Sequence, residues 1–222
     1  MYALLGGILP AFIWLIFWLR EDYKHPEPRG FILRTFIFGM CAVIFVLPFQ
    51  KIVDTFIPGM TLIAVTLWVV LEEIFKLSAA YFGGLKSVED NEPIDPIIYM
   101  ITAALGFVAL ENALFLFGSL IGEDIAKSVI TGNLRFIGAN LLHVVSSGIV
   151  GISLALSFYK SRATHFIYVG IALATAVFFH TSFNLFIIHW GNSGAMLALG
   201  LVWTGVIFLL LAFEKAKTIA RK

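Results

Sequence analysis

The 222-residue chain is 60% hydrophobic, only 13% charged, and carries a net charge of +1. Soluble domains run at about 25% charged residues, so a mean hydropathy of +0.96 excludes an ordinary soluble fold. The near-zero net charge gives no basis for a nucleic-acid partner, and a single cysteine, Cys41, excludes an internal disulfide.

The apolar residues fall in runs long enough to cross ~30 Å of hydrocarbon as helices. In chain order the pattern predicts spans over Tyr2–Leu19, Phe31–Phe49, Met60–Phe82, Ile97–Ile121, Ile137–Tyr159, Phe166–His189 and Ala195–Phe213. The first has no basic stretch before it and no small-residue cleavage signal after it, so it reads as a retained span. Pro10, Pro48 and Pro58 lie within or beside spans, where neighbouring groups can satisfy the freed carbonyls. Ile125–Phe136 carries Lys127, Asn133 and Arg135 and reads as an extra re-entrant or interfacial helix rather than a crossing. The expected fold class is all-α: a polytopic membrane helical bundle of about seven transmembrane helices, in one membrane-embedded domain covering residues 1–222.

Lysine and arginine asymmetry sets the orientation. With the N-terminus outside, the inner side holds Arg20, Lys24, Arg29, Lys86, Lys160, Arg162, Lys215, Lys217, Arg221 and Lys222. The outer side holds only Lys51, Lys127 and Arg135. The chain is therefore expected to run N-out and C-in. The inner loop Lys86–Asp95 runs against this bias, with Glu89, Asp90, Glu92 and Asp95 against one lysine. Acidic residues contribute little to topology, so the orientation stands.

Within the spans lie Glu72, Glu73, Lys76, Glu111, His143 and His180. An ionised side chain at the bilayer centre costs roughly 2.5–3.5 kcal/mol on insertion scales, so several at similar depth need partners. At ~1.5 Å per helical residue, Glu72 lies about 18 Å below the outer end of its span and Glu111 about 15 Å. His143 and His180 come out at about 9 Å and about 14 Å. Four helices thus place polar side chains in one slab of the outer half-membrane. Glu72 and Lys76, like His180 and Asn184, are four residues apart and share a helix face. Glu111 and Asn112 are adjacent, so only one of them points at the common centre.

Three carboxylates against one ammonium leave an excess of two negative charges in a low-dielectric site. Raised carboxyl pKa values or a bound cation would each relieve it. Two neutral histidines with a carboxylate form a known catalytic zinc set. Each residue alone has a plainer reading: Glu72 and Lys76 as a structural ion pair, a single histidine or asparagine as glue between helices. His25, His165 and His189 lie in a loop or at span ends and read as interfacial; Arg34 reads as snorkelling. The grouping is what points to a site.

At these residues the chain resembles the PrsW family of intramembrane proteases, distant relatives of the CAAX prenyl proteases and the Abi membrane proteins. The matching pieces are EEIFK at Glu72–Lys76, the stretch from Asp95 through GFVALEN to Asn112, LLHVVSSG around His143, and HTSFN at His180–Asn184. Phe107 and Glu111 fill the superfamily's second motif in its glutamate form, and His180 and Asn184 fill its last. Some PrsW proteins carry Asp where this chain has Asn184, so an amide that hydrogen-bonds an oxyanion is the role that suits this position.

The resemblance implies hydrolysis of a peptide bond in a single-span membrane protein, typically an anti-sigma factor cut on its extracytoplasmic side, in the bacterial cytoplasmic membrane. Glu72 or Glu73 would take a proton from water, with Glu72 favoured because it shares a face with Lys76. Glu111, His143 and His180 would position that water directly or hold a zinc ion. Lys76, with Asn112 as a second supporting residue, would keep the glutamate pair oriented. A proton- or cation-coupled transporter would also place Glu and Lys at mid-bilayer, but no inverted repeat is visible. A non-catalytic membrane scaffold is the third reading.

Overall fold

In hydrocarbon every backbone N–H and C=O must be satisfied within the chain, so the apolar runs fold as helices. The computed structural model describes residues 2–23, 25–121 and 125–219. Helix α1 spans Tyr2–Leu19 and α2 spans Arg29–Phe56, entered directly after Pro28. Helix α3, Leu62–Ala80, is capped by the Thr61 hydroxyl, which accepts the Ala64 N–H, and it runs into a π turn over Tyr81–Leu85. Helix α4 spans Asp95–Ile121, α5 spans Ile125–Leu156, and α6 covers Arg162–Ala216 with Ser161 as its cap. The all-helical expectation holds, and no strand occurs among the described residues.

Two boundaries differ from the pattern-based reading. Ile125–Phe136 is not a separate element; it continues without a break into α5. Helical hydrogen bonding there overrides its higher polarity. The last two expected spans, in turn, are arms of α6, Arg162–Gly191 and Ser193–Ala216. They are joined where Gly191 takes a left-handed conformation, φ +51° and ψ −126°, which glycine tolerates at little cost. A Cβ at Gly194 would lie 1.8 Å from the Phe186 carbonyl oxygen, and one at Gly205 would meet Phe179. The second arm therefore folds back antiparallel on the first.

Helix α4 is the axis of the bundle. It packs against α1, α2 and α5, and Ile97 through Ile101 together with Ala103 to Leu105 are buried all round. A helix apolar on every face belongs inside. Glycines let its neighbours approach. A Cβ at Gly39 of α2 would sit 2.1 Å from the Ala103 carbonyl oxygen, and one at Gly106 of α4 would sit 2.0 Å from that of Phe36. Such backbone contact is how helices gain packing in lipid, where no hydrophobic force drives them together. The outer surface, with Ile44 and Phe45 on α2 and Ile207, Phe208 and Leu211 on α6, is exposed and apolar. Arg29–Phe56, Asp95–Gly118, Gly138–Leu156 and both arms of α6 are long and apolar enough to cross a bilayer.

The crossing makes a direct prediction. Gly39→Ala forces α2 away from α4 and should cost ~1–3 kcal/mol, the usual scale of overpacking. Gly30→Ala, with nothing within 4 Å of its new methyl, should be neutral or stabilising by up to about 1 kcal/mol. Thermal unfolding of the two variants in detergent compares them.

Candidate active site

Two turns of α3 present Glu72, Glu73 and Lys76 to three neighbouring helices. Lys76 is fully buried. Its ammonium donates to Glu73 Oε1 at 2.6 Å, to His143 Nδ1 of α5 at 3.1 Å, and more weakly to Ser146 Oγ at 3.4 Å. An ammonium has no acceptor capacity, so His143 accepts at Nδ1 and carries its proton on Nε2. That nitrogen lies 3.2 Å from Glu111 Oε2 on α4. On α6, His180 Nδ1 lies 2.7 Å from Glu73 Oε1, to which it donates, while its Nε2 lies 3.7 Å from Glu72 Oε2. Gln50 of α2 donates to Glu72 Oε1 at 2.9 Å. The two imidazoles stand edge to face, 4.9 Å between centroids.

A cavity of about 480 Å³ opens onto this group. Glu72, Glu111, His143, His180 and Asn184 line it, whereas Glu73 and Lys76 do not. Its remaining wall is apolar, with Trp68, Leu142, Phe183 and Leu199 among the lining residues. Met60, before α3, and Gly191, at the α6 bend, also line it. The site thus has a wet side, with two carboxylates and two imidazoles, and a dry side, where Glu73 and Lys76 are paired.

The family model described as PrsW family intramembrane metalloprotease matches residues 27–212. The chain belongs to the PrsW family. Among its curated relatives, Protease PrsW of Halalkalibacterium halodurans is 32% identical over 166 residues, covering 73% of this chain and 71% of that protein. Protease PrsW of Geobacillus kaustophilus is 25% identical over 212 residues, covering 93% and 90%. No solved structure matches. PrsW membership makes this an intramembrane peptidase acting on membrane-protein substrates, and it decides against the carrier and scaffold readings.

Of the residues singled out in the sequence, Glu72, Glu73, Lys76, Glu111, His143 and His180 form one connected group. Asn184, one turn beyond His180, faces the same cavity. Asn112 is buried but is not among the lining residues. Two pairings differ from expectation. Lys76 bonds Glu73 rather than Glu72, because positions three and four apart lie on one face and the neighbouring helices decide between them. The donor atoms that lie within 4.8 Å of one another belong to Glu72, His143 and His180, so Glu72 stands where Glu111 was expected in a metal set. Sequence reasoning missed Gln50 and Ser146. Ser146 sits one turn after His143 and was findable; Gln50 needed knowledge of how α2 meets α3.

The residues fit the metal that PrsW proteases use. Glu72 Oε2 is buried without a hydrogen-bond partner, and one carboxylate with two imidazoles is a three-ligand catalytic donor set. Behind His180, Glu73 fixes the ring with Nε2 free to ligate, the usual carboxylate–histidine arrangement. For its Nε2 to ligate, His143 would have to carry its ring proton on Nδ1, which requires the Lys76 ammonium to leave that nitrogen and keep Glu73 and Ser146 as its acceptors. Elemental analysis after purification without chelators should accordingly show a bound divalent metal. Glu72→Gln and His180→Ala should weaken its retention by at least about tenfold, while Glu111→Gln should keep it.

Proposed function

We propose that this PrsW protease hydrolyses a peptide bond in a single-span membrane protein of the anti-sigma-factor type, near the extracytoplasmic end of the span. Its setting is the bacterial cytoplasmic membrane, with the chain N-out and C-in. The observation that carries this reading is the convergence of Glu72, His143 and His180 on one cavity with Glu111 and Asn184 beside them. Met60 and Gly191, which also line the cavity, belong to connections that the basic-residue asymmetry puts on the outer face. Water and an unwound stretch of substrate would enter there.

Glu72, His143 and His180 would hold the ion, which when bound supplies Lewis acidity for water and for the scissile carbonyl. Glu111, part-exposed on the cavity wall, takes the proton as water attacks the carbonyl carbon. The Asn184 side-chain N–H donates to the oxyanion that forms. Glu111 then returns its proton to the departing amide nitrogen as the C–N bond breaks. Glu73 does not face the cavity; it holds the His180 ring through Nδ1, and Lys76 neutralises it there. Gln50 restrains the Glu72 carboxylate.

Reconstitution with a tagged single-span substrate tests these roles. Glu111→Gln should lower kcat by about 10²–10⁴-fold with metal content intact, the range for a lost general acid–base. Asn184→Ala should lower it by about 10²–10³-fold. Undiminished turnover in Glu111→Gln would remove that residue from the chemistry. Cleavage that persists after exhaustive chelation, in protein shown free of metal, would remove the ion.

A further inference from the structure

At the opposite end of the bundle a second constellation is built from segments far apart in the chain. Asp22 lies in the turn after α1, Glu27 in the linker leading to α2, and Asp95 opens α4. One carboxylate oxygen from each falls within 4.8 Å of the other two. Asp22 is only 5% exposed and Asp95 1% exposed. Asp22 Oδ2 is buried with no hydrogen-bond partner. Asp95 Oδ2 accepts the N–H groups of Asn91 and Glu92 at 2.8 and 2.7 Å, and the Asp95 and Glu27 carboxyl groups lie within hydrogen-bonding reach of each other. The Tyr99 hydroxyl donates to Glu27.

What the cluster lacks, among the described residues, is a paired cation. Among the described residues no lysine or arginine pairs with any of the three. The nearest imidazole, His25, is exposed and pairs with Glu92 at 3.5 Å. Burial, with Asp95 and Glu92 alongside, pushes the bare Asp22 carboxyl up to about 7. Three carboxylates this close and this buried cannot all be ionised without a counter-charge. The donors are all oxygen, with no sulfur and no ring nitrogen among them, which suits a hard divalent cation rather than zinc.

From this geometry we infer that Asp22, Glu27 and Asp95 form a structural site for magnesium or calcium, separate from the catalytic group. The ion ties the α1–α2 linker to the N-terminus of α4. Glu27 is part-exposed and provides the path of entry. The acidic stretch around Glu92 and Asp95, which runs against the charge bias of its side of the membrane, thereby gains a purpose: it supplies one ligand and a negative surround.

Terbium is the probe, because it replaces hard divalent ions and Tyr99 stands against the site as a sensitiser. Purified full-length protein excited in the aromatic band should show terbium emission that saturates, and magnesium or calcium should suppress it. Whichever suppresses at the lower concentration is the better-fitting ion. Asp22→Asn combined with Glu27→Gln should raise the terbium concentration for half-maximal emission by roughly tenfold or more. Glu72→Gln, which alters the catalytic group, should leave it unchanged. In wild-type protein, addition of the preferred ion should also raise the thermal unfolding midpoint, a readout that does not depend on the double variant folding. Emission that Asp22→Asn/Glu27→Gln leaves intact, or that Glu72→Gln abolishes, overturns the assignment. So does wild-type protein in which neither ion competes with terbium nor shifts the midpoint.

Discussion

The bundle's polar centre depends on one buried ammonium. Lys76 has no contact with water, and an isolated charge there would be untenable. Its hydrogen bonds to Glu73 and His143 join α3 to α5, and Glu73 passes the connection on to His180 of α6. Removing one member of such a buried pair typically costs ~3–5 kcal/mol, because the other is left uncompensated. The same bonds set ring orientation. His180 has a carboxylate behind it and His143 an ammonium, so the two imidazoles hold their protons on opposite nitrogens. The chemistry facing the cavity is thus fixed by residues that never reach it.

Helix α4 is the mechanical counterpart. It carries Glu111 to the cavity, and its glycine-lined crossing with α2 brings Gln50 close enough to restrain Glu72. Among the described residues, α4 makes polar side-chain contacts at Asp95 and Tyr99 on one end and at Glu111 near the other. Position along its axis is therefore set by its ends, and rotation by the backbone contacts at Gly39 and Gly106.

Membership of the polar group was legible in the sequence because ionisable residues in twenty-residue apolar runs are costly and rarely incidental. The pairings were less so. Glu72 and Glu73 both lie on the Lys76 face, and only the arrival of His180 from α6 and Gln50 from α2 distinguishes them. The start of α5 was read late, at Ile137, whereas the helix begins at Ile125. Polar Lys127, Asn133 and Arg135 disguised that continuation. The α6 bend could be read from the run Gly191, Asn192, Ser193 and Gly194. Its tightness could not, since it follows from the Gly194 approach to the Phe186 carbonyl.

That bend has a geometric consequence. His180, Phe183, Asn184, Ile187 and Ile188 line the cavity from the first arm of α6, and Ala195 and Leu199 from the second. The aperture is therefore an angle, subtended at Gly191 between two stiff limbs. Widening it means rotating the backbone at that one residue and parting Gly194 from Phe186. Glu72, on α3, and His143, on α5, take no part in that rotation. His180 and Asn184 ride on the first arm, which Glu73 ties to α3, so the second arm is the limb that can shift without disturbing the polar group.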